Sequence, residues 1–164
     1  MDVSTGDQLA IVGRLALAGL LGAVMGLERE LRGHPAGIRT MSMVTLGACL
    51  FTDVSQLIGA GDRIAAQIVT GIGFLGAGVI FREETGIKGI TTAATVWATA
   101  AVGMAIGREL YVAGILGAVI IVALLWSRPL THRIEEVLRP LDEKLRRELQ
   151  ETGVANEEEV RSDD

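Results

Sequence analysis

Cysteine is almost missing from this chain, since Cys49 is the one cysteine among 164 residues. A single thiol excludes a disulfide framework and a thiolate metal site, and we interpret Cys49 as a small buried apolar residue. The sequence also has no Walker A motif, no G-x-S-x-G and no His or Cys cluster with ligand spacing. We therefore expect no enzymatic activity, no cofactor and no nucleic-acid partner.

Charge is missing from long stretches as well. The 18 residues from Ile64 to Phe81 include none that is charged, and a helix of this length can cross a hydrocarbon core of ~30 Å. Hydrophobic residues make up 49% of the chain and the mean hydropathy is +0.42. Such a composition is too apolar for a soluble chain of this size, so we expect an integral membrane protein in contact with the lipid bilayer.

Five apolar runs bounded by charges or turn residues predict an all-α polytopic fold with five transmembrane helices in one domain, residues 1–127. The predicted spans are Leu9–Leu27, Ile38–Ile58, Ile64–Phe81, Ile90–Gly107 and Leu110–Trp126. Lys and Arg gather in alternate loops, which predicts an N-terminus outside and a C-terminus in the cytoplasm. The N-terminal segment has no basic residue before its apolar run, so we expect helix 1 to be retained and not cleaved as a signal peptide.

Glycines recur inside these runs at helical spacing. The segment Gly71-Ile-Gly-Phe-Leu-Gly76 matches G-x-G-x-x-G, but it lies within an apolar helix and does not join a strand to a helix, so it predicts no dinucleotide site. Small residues at such spacing allow close helix packing. The predicted packing glycines are Gly22, Gly26, Gly71, Gly73, Gly76 and Gly78. They either pack within one chain or form a homodimer.

Two parts of the chain resemble each other. Gly19-Leu-Leu-Gly-Ala23 precedes Gly37-Ile-Arg-Thr40, as Gly73-Phe-Leu-Gly-Ala77 precedes Gly89-Ile-Thr-Thr92. We interpret this as a parallel internal repeat, in which helices 1 and 2 correspond to helices 3 and 4. A chance match of common residues is the alternative.

Charged residues at membrane depth fall into two predicted groups. Arg14 and Glu28 on helix 1 lie 14 residues apart, as do Arg39 and Asp53 on helix 2, so antiparallel helices would pair Arg14 with Asp53 and Glu28 with Arg39. Gln67 on helix 3 lies at a similar depth and is expected to join Arg14 and Asp53. This outer cluster either locks helices together or binds a cation or proton.

The second group is predicted at the cytoplasmic ends of the helices. It consists of Glu28, Arg39, Thr40, Arg82, Thr91 and Thr92. These residues are either ordinary helix caps and headgroup contacts, or they form a hydrophilic vestibule or a docking patch for a partner protein. Asp53 and Glu28 would lie about 21 Å apart along the membrane normal, so they cannot share one magnesium ion within a chain.

The tail is expected to leave the membrane. Apolar residues at three- and four-residue spacing predict an amphipathic cytoplasmic helix over residues 128–150, and the acidic residues 151–164 are predicted to be disordered.

A series of motifs is similar to the membrane domain of the MgtC/SapB family. It consists of Gly26-Leu-Glu-Arg-Glu30, Ala36-Gly-Ile-Arg-Thr40, Ala66-Gln67, the Gly71–Gly78 run and Gly89-Ile-Thr-Thr-Ala-Ala-Thr-Val-Trp97. The resemblance implies a small inner-membrane protein of magnesium homeostasis, associated in pathogens with virulence. It further implies a regulator of membrane ATPases, such as ATP synthase. Some members carry an ACT-like domain after the helices, for which residues 128–164 are too few.

Two functions from different classes follow. The first is a non-catalytic regulator that binds a membrane transporter or ATPase, favoured because no complete ion path or nucleotide site is visible. The second is a small oligomeric transporter or channel for magnesium or another ion that uses Arg14, Asp53 and Gln67. A structural oligomer with neither role is the third alternative.

Overall fold

The computed structural model describes residues 4–83 and 86–127, which form five α-helices and a short β-hairpin. The helices are α1 (Thr5–Leu31), α2 (Ile38–Leu57), α3 (Gly61–Ala77), α4 (Ile90–Gly107) and α5 (Tyr111–Trp126), and the strands are β1 (Phe81–Glu83) and β2 (Gly86–Lys88). The predicted tail helix at 128–150 and the acidic end at 151–164 lie outside the described residues.

Helix α1 begins with a capping box. The backbone N–H of Asp7 donates to the Ser4 hydroxyl, and the Asp7 carboxylate accepts from the Ser4 backbone, both at 3.2 Å. These two bonds satisfy N–H groups that a helix start otherwise leaves unpaired. For this reason α1 starts at Thr5, four residues before the predicted span.

The turn between α1 and α2 is fixed by a carboxylate. Two residues in it have positive φ, Gly33 at 66° and Ala36 at 63°. Gly37 at the start of α2 has no side chain with which to cap the helix, but Glu30 Oε2 accepts from the Ile38 N–H at 2.9 Å. The last turn of α1 therefore caps the first turn of α2.

A hairpin that the sequence analysis missed joins α3 to α4. We expected helix 3 to continue to Phe81, but it ends at Ala77, and Phe81 pairs with Lys88 across an antiparallel register. Gly89 follows with φ 92°, where a side chain would collide with the Val79 carbonyl. Glycine is needed here because it adopts this conformation at little cost and leaves room for the neighbouring backbone.

Two of the described helices are long and apolar enough to cross a membrane. These are α1 with 27 residues and α4 with 18. The apolar segments Arg63–Ala77 and Tyr111–Trp126 are shorter. The bounds of α4 agree with the predicted run and those of α2 and α5 agree to within one residue, whereas α1 is longer and α3 is shifted toward the N-terminus. The number of crossings and the internal repeat stay predictions.

The packed centre of the fold is formed by α1, α2 and α4. One apolar cluster joins Ala18, Cys49 and Ile106, and a second joins Met25, Val102 and Ala118, so that α5 is included. Cys49 is fully buried, as expected of a small apolar residue. Helix α3 packs beside α2 and α4 through a third cluster around Ile68.

Candidate functional site

Glycines bring α1 and α2 into close contact. A methyl group at Gly22 would lie 2.6 Å from the Met41 carbonyl oxygen, and one at Gly26 would lie 2.6 Å from Ile38 Cα. Both distances are shorter than any van der Waals contact, so only glycine fits at this separation of the helix axes. The packing role predicted for Gly22 and Gly26 agrees with these contacts.

Helix α4 approaches α2 in the same way. A methyl group at Gly103 would collide with the Thr45 carbonyl, and one at Gly107 would lie 2.6 Å from the Cys49 carbonyl oxygen. These contacts put α2 between α1 and α4, and they decide which face of α2 meets each neighbour.

The glycines of α3 differ from these. A methyl group at Gly71 or Gly73 would meet no atom within 4 Å, and one at Gly78 would meet only carbonyl oxygens of its own helix. Gly76 lies at ordinary contact distance from Ala93, 3.6 Å. Within the part of the chain that the structure describes, packing therefore uses Gly76 and does not use Gly71 or Gly73.

Arg14 holds the first of two charged clusters, which we call the Asp53 cluster (Arg14, Asp53 and Glu109). Arg14 donates to Asp53 Oδ1 from Nε at 2.9 Å and from Nη2 at 2.8 Å, and its Nη1 lies 2.9 Å from Glu109 Oε1. The Asp53 side chain is 3% exposed and that of Arg14 is 12% exposed. The structure thus brings Arg14 and Asp53 together, as the 14-residue spacing suggested.

The second oxygen of Asp53 is also in contact. The Cys49 thiol, one turn earlier on α2, donates to Asp53 Oδ2 at 3.7 Å. Nearby, the Gln56 amide donates to the Gly107 carbonyl at 2.6 Å and ties α2 to the end of α4. A buried carboxylate is tolerated when a cation and further donors satisfy it, and Asp53 has both.

Glu109 was missed by sequence reasoning. It lies in the turn between α4 and α5 with φ 62°, and its side chain is 62% exposed. The available signal was its position between two apolar runs, next to Arg108. Beside the cluster a cavity of about 240 Å³ is lined by Asp7, Ala10, Ile11, Arg14, Asp53, Gln56, Leu57 and Glu109.

Gln67 does not join this cluster. It is exposed and lines a separate groove between α2 and α3. The reason is the geometry of α2: Asp53 lies two positions from Phe51, about 200° around the helix, so the face that meets α3 is not the face that carries Asp53. Equal depth along the membrane normal did not imply contact.

A second cluster, the Arg29 cluster (Glu28, Arg29, Arg32 and Thr92), lies at the other end of α1. Arg29 is 3% exposed and donates from Nη2 to the Thr92 hydroxyl at 2.6 Å. Glu28 is 5% exposed and pairs with Arg32 Nε at 2.8 Å. The end of α1 is thereby joined to the start of α4.

The predicted Glu28–Arg39 pair is wrong. Glu28 binds Arg32, one turn along its own helix, while Arg39 is exposed. Helix α2 meets α1 through Ile38, Met41 and Thr45, and Arg39 projects about 100° away from Ile38. An i, i+4 partner needs no alignment between helices and therefore forms more easily.

The threonines and Arg82 of the predicted group separate in the structure. Thr92 is buried in the Arg29 cluster, whereas Thr40 and Thr91 are exposed. The backbone of Arg82 pairs with Ile87 in the hairpin, and its side chain lies outside the described part of the chain. Glu28 and Thr92 are both buried at this end of the fold, but they bind different partners, Arg32 and Arg29 respectively.

The chemistry of both clusters is that of charged, hydrogen-bonding groups. Among the described residues no group of three His, Cys, Asp or Glu side chains is placed to hold a metal ion. The Asp53 cluster combines one guanidinium with two carboxylates, so it is able to hold helices together and to attract cations to the cavity beside it.

Comparisons with known proteins agree with this picture. Residues 15–134 match the MgtC family. An uncharacterized protein of Synechocystis sp. is 46% identical over 122 residues, which cover 72% of this chain and 52% of that protein. Protein MgtC of Brucella abortus is 46% identical over 126 residues, 74% of this chain and 52% of the relative.

A third relative is a protein of Escherichia coli K12 named "Putative magnesium transporter YhiD". It is 45% identical over 117 residues, which cover 65% of this chain and 54% of the relative. The chain spans about half the length of the curated relatives it matches. No solved structure matches it. The family match over most of the helical region shows that the chain is a membrane protein that belongs to the MgtC family.

Proposed function

We propose that this protein is a non-catalytic regulator in magnesium homeostasis that binds a membrane transporter or ATPase, such as ATP synthase. The observation that carries the proposal is the separation of its two charged clusters. Arg14 and Glu28 stand 14 residues apart on α1, about 21 Å along the helix axis, with an apolar core between them. A path for a hydrated ion needs polar groups along its length.

The core between the clusters is built from two apolar layers. Ala18, Cys49 and Ile106 form the layer next to the Asp53 cluster, and all three are fully buried. Met25, Val102 and Ala118 form the next one. Such layers stabilise the packing of α1, α2 and α4, but they oppose passage of a charge through the middle of one chain.

Buried threonines between the clusters do not provide polar groups for an ion path. Thr45, Thr52 and Thr95 donate their hydroxyl protons to carbonyls of their own helices, each at 2.7 Å. The Thr99 hydroxyl donates to Met25 Sδ at 3.7 Å. These donors are satisfied inside the protein, which is how hydroxyls are usually buried at membrane depth.

The proposed setting is the inner membrane, with the N-terminus outside and the C-terminus in the cytoplasm. The support is the distribution of basic residues: Arg29 and Arg32 lie at one end of α1, and no Lys or Arg precedes Arg14. In this orientation the Asp53 cluster faces the outside and the Arg29 cluster the cytoplasm.

Transport is the second candidate. Two observations favour it: the E. coli relative is named for magnesium transport, and the cavity beside Arg14 is lined by three carboxylate residues. Because the apolar layers oppose the passage of an ion through one chain, a transporter would need a path formed between several copies.

A flux measurement separates the two candidates. The full chain is purified, shown to be helical by circular dichroism, and reconstituted into sealed liposomes that contain a magnesium-sensitive dye, with Asp53→Asn as the matched variant. We expect influx equal to that of empty liposomes. Influx that exceeds this background and disappears in Asp53→Asn would overturn the regulator proposal in favour of transport.

A further inference from the structure

An apolar groove runs along one side of the helices, between α2 and α3. Its volume is about 460 Å³, and it is lined by Met43, Gly47 and Phe51 of α2 and by Ile64, Gly71 and Leu75 of α3. Ile64 and Leu75 are 11 residues apart, so the groove extends for about 16 Å, or three helical turns.

The floor of this groove is open and its wall carries one amide. A methyl group at Gly47 or Gly71 would meet no atom within 4 Å. Gln67 lines the groove and is exposed, and within the described residues its amide makes no hydrogen bond. At the depth of a hydrocarbon core, an exposed amide lacks the hydrogen bonds that water would supply, so a partner with a polar group is favoured there.

The predicted internal repeat indicates what kind of partner fits this groove. In the predicted repeat, Gly22 corresponds to Gly76 and Met41 corresponds to Ala93. The two contacts correspond as well, since Gly22 lies against Met41 and Gly76 lies against Ala93. Exchanging the two halves places α1 on α3 and α4 on α2. The seam between α1 and α4 is then the counterpart of the groove between α2 and α3.

The seam between α1 and α4 is covered by a helix. Ala118 of α5 packs with Met25 of α1 and Val102 of α4, and a methyl group at Gly114 would lie 2.5 Å from Ile106 Cδ1. Small residues of α5 thus seat it against the seam. The described chain has no such helix over the corresponding groove.

We propose that the groove between α2 and α3 is the docking site for one transmembrane helix of a partner membrane protein, a proposal that rests on the regulator function above. The partner helix presents small residues to Gly47 and Gly71 and an Asn, Gln, Ser or Thr side chain to Gln67. A lipid acyl chain would fit the apolar groove but has no group that can form a hydrogen bond with Gln67. A second copy of this chain is a less suitable partner. Its α5 is the helix that covers the corresponding seam, and the small residues of that α5 are already buried in its own chain.

The test fills the groove without disturbing the fold. Gly71→Leu places an isobutyl group in the groove, while Gly73→Leu makes the same change two residues away, off the groove, where a methyl group also meets no atom within 4 Å. Both variants have the same hydropathy and the same loss of a helical glycine. Equal amounts in the membrane and equal thermal midpoints are required of both.

Cross-linking in living cells measures docking. The photoreactive residue p-benzoylphenylalanine replaces Phe51, and adducts are sized and their peptides identified. We expect an adduct to a transmembrane segment of another protein, reduced at least about tenfold by Gly71→Leu and retained in Gly73→Leu. Adducts only to lipid, an adduct of twice the chain mass, or equal yields in the two variants would overturn the proposal.

Growth in magnesium-limited medium keeps the two proposals distinguishable. Cells that lack the gene are complemented with the unchanged chain, Gly71→Leu or Gly73→Leu. Rescue by all three chains, together with equal cross-linking, would contradict the docking site but would remain consistent with the regulator role. If the unchanged chain does not rescue growth, the proposed role in magnesium homeostasis is contradicted, whatever the cross-linking shows.

Discussion

The side of the molecule built from α1, α2 and α4 and the side formed by α3 use glycine differently. Gly22, Gly26 and Gly103 lie where any side chain would collide with a neighbouring backbone, while Gly71 and Gly73 lie in open space. All of them occur at helical spacing in apolar runs. Spacing therefore identifies a face that permits close approach, and the neighbour that uses the face is decided by the rest of the fold.

Polar groups follow the same division. The packed side buries Asp53 and Arg29 and gives each a partner on another helix, Arg14 for Asp53 and Thr92 for Arg29. The α3 side carries Gln67, which is exposed in the groove. Among the described residues, the packed side thus pairs these two buried charges with neighbouring helices, although Glu28 Oε2 on the same side has no hydrogen-bond partner. The α3 side presents both open space and a hydrogen-bonding group.

The largest effect is expected from Gly103→Ala. The methyl group would collide with the Thr45 carbonyl, and backbone cannot yield as a flexible side chain does. We expect the free energy of unfolding to fall by about 3 kcal/mol, measured as a lower thermal midpoint by circular dichroism in detergent micelles. An unchanged midpoint would mean that α2 and α4 lie further apart than described.

Arg14→Leu should have the next largest effect. It leaves the Asp53 carboxylate 3% exposed without its cation, and we expect a loss of about 2 kcal/mol, discounted because Arg14 borders a cavity. Asp53→Asn should cost less, because Arg14 keeps Glu109. The double variant should be more stable than Arg14→Leu alone, and additive losses in a double-mutant cycle would contradict the pairing.

A third comparison uses two positions, Gly22 and Gly76, that correspond in the predicted repeat. Gly22→Ala brings a methyl group to 2.6 Å from the Met41 carbonyl oxygen and should destabilise by about 1.5 kcal/mol. Gly76→Ala brings one to 3.6 Å from Ala93 Cβ, an ordinary contact, and should stabilise by roughly 0.5 kcal/mol through helix propensity. Thermal midpoints that move in the same direction for both variants would remove the distinction between the two sides.

The smallest effect is expected from Gly73→Ala and Gly71→Ala. Neither methyl group meets an atom within 4 Å, so the only effect expected is that alanine has less backbone freedom than glycine in the unfolded chain. Each change should therefore stabilise the fold by about 0.5 kcal/mol. The same thermal measurement applies, with the unchanged chain as the reference. Destabilisation by either change would show that α3 packs against something the chain itself supplies.

Much of the helical framework was predictable, because apolar runs between charges mark helices directly. The α4 boundaries Ile90–Gly107 agree with the prediction. The β1–β2 hairpin was not predicted, since three-residue strands are too short for a periodic signal. The start of α1 was misplaced because a side-chain cap, Ser4 with Asp7, extended it beyond its apolar run.

The charged clusters were predictable only in part. Arg14 and Asp53 are far apart in sequence and lie at the same depth, and the antiparallel arrangement of α1 and α2 was enough to pair them. Glu28 was assigned to Arg39 because depth was considered without rotation around the helix axis. Rotation is set by where glycines let backbones touch, here Gly26 against Ile38, and one sequence does not reveal which glycines do so.

The hairpin between α3 and α4 also limits how deeply these helices sit in a bilayer. A two-stranded ribbon leaves unpaired N–H and C=O groups along its edges, and such groups stay out of hydrocarbon. Helix α3 has 17 residues, about 26 Å, against a hydrocarbon thickness of ~30 Å. If α3 crosses the bilayer, as predicted from the sequence, the lipid beside it has to thin by a few ångströms, and this edge of the protein would then favour thin bilayers and neighbours with equally short helices.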